Sequence, residues 1–82
     1  MLVKVITPEK ELYNEEAKSV NLPTEAGYLT ILPHHTELLS VIHPGQIKIE
    51  FNSGLKKFII EGGVIEVFKN EVNILLKKEF EY

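Results

Sequence analysis

The segment that decides the fold class is Gln46-Ile47-Lys48-Ile49-Glu50-Phe51-Asn52-Ser53-Gly54. Polar and apolar residues alternate over residues 46–51, and this period of two is typical of a β-strand with one buried face. Asn52-Ser53-Gly54 then supplies residues that favour a tight turn, and residues 55–61 continue as a second strand. The segment therefore predicts a β-hairpin.

Short apolar runs separated by turn residues continue in both directions from this hairpin. Turns are expected at Thr7-Pro8, at Glu15-Glu16, over residues 23–27, and at Lys69-Asn70. No segment carries the long apolar stripe of an amphipathic helix. The pattern predicts an all-β sandwich or barrel. Its strands are expected at residues 2–6, 11–14, 18–22, 28–32, 38–42, 46–51, 55–61, 64–68 and 72–76.

The length and composition indicate one small globular domain over residues 1–82. Hydrophobic residues make up 44% of the chain, which argues against disorder. No apolar run approaches the roughly 20 residues of a membrane-spanning helix, and the first residues turn polar too soon for a secretory signal. We therefore expect a soluble chain that stays in the compartment where it is made.

The charged residues come from a narrow set. All nine basic residues are lysine and all twelve acidic residues are glutamate, for a net charge of −3. Arginine is the residue best suited to a bidentate grip on phosphate or guanine, so its absence weighs against nucleic acid and nucleotide ligands. Because the chain also has no cysteine, disulfides, thiolate metal sites and thiol nucleophiles are excluded.

The residues that could carry catalysis or bind a metal do not form a recognisable constellation. His34 and His35 are adjacent, and on an extended segment they would point to opposite faces, so with His43 they predict no metal site. The serines lack a nucleophile-elbow sequence, which argues against an enzyme. The pair Gly62-Gly63 has no following Lys-Ser/Thr and predicts close backbone contact rather than a phosphate loop. No cofactor is expected.

Two functions stay open on the residues alone. A small sandwich without a chemical constellation most naturally acts as a binding module through its faces and loops. The alternative is a lipoyl- or biotinyl-type carrier domain modified on Lys56 or Lys57, just past the predicted 52–55 hairpin. The neighbours of these lysines are not those that carrier domains place around the attachment site.

Four segments, in order and spacing, resemble the amino-terminal domain of the epsilon subunit of F-type ATP synthases over nearly the whole chain. Residues 5–13 resemble its first strand and turn, Pro44-Gly45 precedes the 47–49 strand as in the family, and residues 61–67 with 70–75 resemble its closing hairpin. The most specific match follows a Gly-x-Leu-x-Ile-Leu-Pro-x-His-x-x-Leu-Leu pattern and reads Gly27-Tyr28-Leu29-Thr30-Ile31-Leu32-Pro33-His34-His35-Thr36-Glu37-Leu38-Leu39.

This resemblance implies a flattened sandwich of about ten short, mostly antiparallel strands and a non-catalytic role in the central stalk. Members hold the gamma shaft and rest on the membrane ring of c subunits, supporting assembly and the coupling of ion transport to ATP synthesis. The implied location is peripheral, on the cytoplasmic side of an energy-transducing membrane, the plasma membrane in a bacterium. By position, the implied gamma contacts are Thr7, His35 and Ser40, and the implied c-ring contacts are Gly27 and Tyr28.

The sequence departs from the family pattern in three respects. Tyr28 stands where a glutamate is frequent, which puts an electrostatic contact with the c-ring in doubt. His34 and Thr30 stand where glycine is usual, and both replacements stiffen the backbone. The resemblance also leads us to expect that the helical hairpin, which senses nucleotide and inhibits hydrolysis in many members, is missing, because residues 77–82 are too few for a stable helix. We therefore expect neither tight ATP binding nor inhibition.

Overall fold

A computed structural model describes residues 1–77 and contains only β-strands and their connections in that range. This confirms the predicted all-β class. The described residues contain no helix long and apolar enough to cross a bilayer. The sequence analysis predicted that residues 77–82 are too few to form a helical hairpin. Residues 78–82 of that segment lie outside the described residues. The eight strands are β1 Leu2–Ile6, β2 Glu11–Thr24, β3 Gly27–Ile31, β4 Leu38–Ile42, β5 Gly45–Phe51, β6 Gly54–Ile60, β7 Gly63–Phe68 and β8 Glu71–Leu76.

The strands form two layers joined by β2. One layer has the order β3-β2-β5-β6 and the other the order β4-β7-β8-β1. The first half of β2 pairs with β1 and its second half with β3 and β5, so β2 belongs to both layers. Every pairing is antiparallel except that of β1 with β8. The predicted sandwich of mostly antiparallel strands is confirmed.

The predicted break at Glu15-Glu16 is wrong, because β2 continues through it. Glu15 pairs with Val3 and Glu16 with Leu2, and a register shift follows between Ala17 and Ser19. Such a bulge bends a strand without ending it, which lets β2 leave one layer and enter the other. The two predicted strands at residues 11–14 and 18–22 are therefore one. The described residues form eight strands rather than the nine predicted by alternation or the ten implied by the resemblance.

The turn predicted over residues 23–27 is shorter than expected. Pro23 and Thr24 are buried and belong to β2, where they pair with Tyr28 and Gly27, so only Glu25 and Ala26 form the turn. Proline has no N–H to donate, but the carbonyl of Pro23 accepts a hydrogen bond from the His43 N–H at 2.9 Å. The turn was predicted to begin at Pro23, but strand β2 continues to Thr24.

The core lies between the layers and is built from the alternating residues that the sequence pattern identified. Ile47, Ile49 and Phe51 of β5 all face inward and are buried. The ring of Tyr13 packs against Phe51 and Phe58, with centroid separations of 5.2 and 5.9 Å. The other fully or nearly fully buried apolar residues are Met1, Val3, Val5, Ala17, Val20, Leu22, Ile31, Ile42, Ile60, Ile65, Val67, Val72, Ile74 and Leu76.

The close backbone contact predicted at Gly62-Gly63 is present. A Cβ atom at Gly63 would lie 2.2 Å from the carbonyl oxygen of Leu75 in the neighbouring strand β8. Gly62 adopts a φ of 129°, and a Cβ there would lie 3.1 Å from the carbonyl oxygen of Ile42. The pair therefore brings β7 close to β8 and to the end of β4.

Candidate functional site

The outer face of the β4-β7-β8-β1 layer carries a row of apolar side chains that crosses all four strands. Val41 pairs with Val64, Val64 with Leu75, and Leu75 with Ile6. Val41 is 48% exposed, Leu75 47% and Val64 36%, while Ile6 is half-buried. We call these four residues the apolar row. Next to it on β4, Leu39 is 74% exposed. Exposed apolar side chains that adjoin one another in this way are typical of interaction surfaces.

Polar residues border the apolar row on the same face. The Asn73 amide donates to Glu66 Oε1 at 3.4 Å, and Lys4 Nζ lies 3.9 Å from Glu71 Oε1. Glu66 pairs with both Leu39 and Asn73, so polar and apolar side chains stand side by side across the strands. An apolar centre with a polar border is the usual anatomy of a protein–protein interface.

Ser40, a predicted gamma contact, lies on β4 between two exposed apolar residues. Its Cα partner is the buried Ile65, so its half-buried side chain is on the inner side of the strand, and its hydroxyl donates to the Val41 carbonyl at 3.2 Å. Leu39 and Val41 instead present their side chains to the outside. The sequence analysis missed these two residues, although apolar side chains on both faces of a short strand were a signal that could have identified them.

His35, a second predicted gamma contact, lies in the connection between β3 and β4. Its N–H donates to the Leu32 carbonyl at 3.1 Å, and its ring Nδ1 lies 2.8 Å from the Thr36 carbonyl oxygen. The backbone at this point is a turn and not a strand, because His34 has a φ of 65°. The His34 N–H donates to Asn70 Oδ1 at 2.8 Å, which fixes this connection to the β7–β8 turn.

Thr7, the third predicted gamma contact, is only 4% exposed. Its N–H and hydroxyl both donate to the Lys10 carbonyl, at 2.9 and 3.2 Å, and the Lys10 N–H donates to Thr7 Oγ1 at 3.3 Å. These bonds close the β1–β2 turn. Thr7 follows β1 at one end of the layer, while the His35 connection meets the β7–β8 turn at the other end. The three predicted contacts are therefore spread along the layer and do not form a cluster.

Gly27 and Tyr28, the predicted c-ring contacts, open β3 after the Glu25-Ala26 turn. Gly27 is exposed, with a φ of 106°. The ring of Tyr28 is 61% exposed, and its hydroxyl accepts a hydrogen bond from the Gln46 N–H at 3.3 Å. The side chain is therefore held at its polar end and open over the rest of its surface, as an aromatic residue at an interface would be.

The outer face of the β3-β2-β5-β6 layer is more polar. A shallow depression there is lined by Ser19, Asn21, Thr30, Lys48, Glu50 and Leu55. Lys56 and Lys57 lie within β6, opposite Ile49 and Lys48, and the turn of that hairpin is Asn52-Ser53. The carrier alternative placed the modified lysine just past this hairpin, and both lysines lie inside strand β6. Among residues 1–77, no three side chains are grouped to hold a metal ion.

Known proteins are similar to this chain in sequence and in fold. Residues 1–80 match the family described as ATP synthase, Delta/Epsilon chain, beta-sandwich domain. A chain of the Tetrahymena thermophila mitochondrial ATP synthase, in a structure of the central stalk and c-ring, is 29% identical with a TM-score of 0.86. The match covers 95% of the present chain and 63% of the Tetrahymena chain.

A second solved structure shows the same fold at lower sequence identity. In the Euglena gracilis mitochondrial ATP synthase, a structure containing OSCP, F1 and the c-ring, one chain is 18% identical with a TM-score of 0.88. The match covers 95% of this chain and 51% of that one, so the present chain spans about half to two thirds of the length of these relatives. On the family match over residues 1–80, the chain belongs to the family of ATP synthase delta/epsilon chain β-sandwich domains.

Proposed function

We propose that this chain, as one β-sandwich domain over residues 1–82, is a non-catalytic part of the central stalk of a rotary ATP synthase. It binds the gamma shaft and the c-ring and supports assembly and coupling. The observation that carries the proposal is the family match over residues 1–80, together with the 29% identity to a chain in a central stalk and c-ring structure. It acts without cofactor, nucleic acid or small-molecule substrate, peripherally on the cytoplasmic side of an energy-transducing membrane.

The apolar row is the surface best suited to the shaft. The three residues predicted to contact gamma, Thr7, His35 and Ser40, all belong to or adjoin the layer that carries it. Covering exposed Val41, Val64 and Leu75 removes apolar surface from water, which stabilises a complex by roughly 25 cal/mol per Å². Packed, desolvated contacts of this kind transmit torque without any bond chemistry.

The turn that precedes β3 is the surface best suited to the c-ring. Gly27 and Tyr28 lie beside Thr24, which also pairs with Ile42 at the end of β4. A tyrosine whose hydroxyl is already held by Gln46 loses little conformational entropy when a partner covers its ring. The c-ring contact is therefore aromatic rather than electrostatic at this position.

Binding to the gamma subunit of the same organism tests the proposal. We expect the purified chain to form a stoichiometric complex, measured by size-exclusion chromatography and calorimetry. Val41→Glu should weaken binding at least tenfold, because it places a charge in the apolar row. The matched control is Leu55→Glu, which should bind as wild type, because Leu55 is an apolar residue of similar exposure on the outer face of the other layer. A folded chain that does not associate with gamma would contradict the proposal.

A further inference from the structure

Strand β4 has one open edge. It pairs with β7 along its whole length, from Leu38 with Val67 to Ile42 with Gly63. On its other side the structure gives a single partner, where Ile42 meets Thr24 of β2. An edge of this kind leaves peptide N–H and C=O groups available to another extended chain.

The hydrogen-bond alternation of an antiparallel strand identifies which residues face the open edge. The His43 N–H donates to the Pro23 carbonyl of β2, so the amide at position 43 points away from β7. Because successive residues alternate, the amides of Val41 and Leu39 point the same way. Those of Ser40 and Ile42 point toward β7. The residues whose backbone faces the edge are thus also those with exposed side chains on the outer face.

The open edge of β4 lacks the devices that usually protect an edge strand. Lys56 and Lys57 lie on the edge strand β6, and lysines there discourage pairing with other chains. β3 pairs only with β2, but Tyr28 is its only highly exposed large apolar residue. Between Leu38 and Ile42 there is no charge and no proline. Among the edge strands of residues 1–77, only β4 combines an uncharged sequence with exposed aliphatic side chains.

We propose that β4 accepts an extended segment of the shaft subunit by strand addition. The segment hydrogen-bonds to the backbone of Leu39 and to the Val41 N–H, since the Val41 carbonyl already accepts the Ser40 hydroxyl, and it places apolar side chains beside those of both residues. The pair Ile42–Thr24 closes one end of the edge, so the added strand is short. This inference rests on the proposed function and gives the shaft a specific mode of attachment.

The apolar row favours the shaft over a second copy of this chain. Two copies paired through β4 would extend their layers in the same plane and leave both outer faces uncovered. Val64 and Leu75, which are 36% and 47% exposed, would then stay in water. A larger partner that adds a strand at β4 can also cover the adjoining face, so that one occupant satisfies both the backbone and the apolar row.

Amide hydrogen exchange resolved by NMR measures the backbone part of the proposal directly. In the free chain we expect the amides of Leu39 and Val41 to exchange at least tenfold faster than those of Ser40 and Ile42. Addition of the gamma subunit should slow the first two at least tenfold. A stoichiometric complex in which they still exchange rapidly would overturn strand addition while leaving the proposed function intact. Absence of any complex would overturn both.

A pair of variants at one position separates the backbone from the side chain. Leu39→Ala removes the side chain but keeps the N–H, whereas Leu39→Pro also removes the N–H, which an edge strand tolerates on its open side. We expect the proline variant to bind gamma at least tenfold more weakly than the alanine variant, with unfolding midpoints confirming that both are folded. Equal affinities would overturn the proposal.

Protection of Leu39 and Val41 that rises with the concentration of the free chain would also overturn the proposal, because it would assign the edge to a second copy. If Leu39→Pro does not fold, the exchange measurement on the wild-type chain decides alone.

Discussion

At His34 the backbone has a φ of 65°, which is a left-handed conformation. Glycine adopts this conformation freely, whereas a residue with a side chain adopts it at a cost in free energy. The β3–β4 connection holds this conformation through the hydrogen bond from the His34 N–H to Asn70 Oδ1. Thr30 also stands where the family usually has glycine, but it lies within β3, and its hydroxyl accepts a bond from the Asn21 amide at 3.0 Å. The two departures therefore have different physical consequences.

Glycine at these two positions should change stability in opposite directions. His34→Gly relieves a left-handed conformation and should raise the free energy of unfolding by about 0.5–1 kcal/mol. Thr30→Gly loses a side-chain hydrogen bond and frees an extended backbone, so it should lower that free energy by about 1–2 kcal/mol. Urea unfolding followed by circular dichroism measures both. The same sign for both variants would contradict this explanation.

At His35, a contact with the shaft should appear as lost affinity. Truncation to alanine should cost about 1–2 kcal/mol of gamma binding if the half-buried ring becomes desolvated in the complex. His34→Ala, which keeps the N–H that bonds Asn70, is the control and should cost less. Calorimetric titration of gamma measures the difference. A dissociation constant unchanged by His35→Ala would assign this residue to a solvated connection.

At Tyr28, the nature of the c-ring contact should appear in its dependence on salt. An aromatic contact is little affected by ions, whereas a glutamate contact is screened. Retention of the wild-type chain on a complex of gamma and c-ring should change little between about 0.05 and 0.5 M salt. Tyr28→Glu should make retention fall over the same range, and Tyr28→Phe should not. A steep loss for the wild type would count against the aromatic contact.

At the scale of single elements, β2 and the β7–β8 hairpin determine the architecture. β2 pairs with β1 and then, after the bulge near Ala17, with β3 and β5, so one strand connects both layers. In the hairpin, Lys69 and Asn70 have φ angles of 49° and 62°, the sign that a two-residue type I′ turn requires at both positions. Gly63 lets the same two strands approach closely at the other end.

A methyl group at Gly63 should destabilise this hairpin. The Cβ of Gly63→Ala would meet the Leu75 carbonyl oxygen at 2.2 Å, which forces the backbones of β7 and β8 apart. We expect a loss of about 2 kcal/mol in the free energy of unfolding. Val64→Ala, at the next and partly exposed residue, should cost clearly less. Chemical denaturation compares the two, and equal losses would argue against the close approach.

At the scale of the whole molecule, the sandwich has two different outer faces. Its extents are 28 × 27 × 19 Å, in agreement with the predicted flattened shape. The β4-β7-β8-β1 layer presents the apolar row, while the other layer presents a depression that is lined mainly by polar residues. Within residues 1–77 the apolar row lies on one of these two faces, so we expect a partner that covers the row to bind the domain in one orientation.

The whole chain should support assembly without regulating hydrolysis. It contains no arginine, and Gly62-Gly63 leads into strand β7 instead of a phosphate-binding helix. Added to a catalytic complex that contains gamma but no epsilon, the chain should bind stoichiometrically and leave the ATPase rate unchanged. Calorimetry on the isolated chain should detect no micromolar ATP binding. Strong inhibition or such binding would show a regulatory site in the sandwich.

The alternating segments at residues 46–51, 64–68 and 72–76 were sufficient to predict the all-β class and most strand positions, because a period of two in side-chain polarity reflects burial on one face. The family followed from ordered motifs such as residues 27–39. The continuity of β2 through Glu15-Glu16 did not follow from the sequence, because a pair of glutamates, here half-buried and exposed, resembles the polar residues of a turn.

The tertiary structure alone decided where the proposed interaction surface lies. Ile6, Leu75, Val64 and Val41 are far apart in sequence and form a row only because β1, β8, β7 and β4 pair in that order and register. The burial of Thr7 in a turn and the open edge of β4 also depend on which strands pair. Alternation shows that a residue faces one side of a strand. Strand pairing determines whether that side meets the core, a neighbouring strand or solvent.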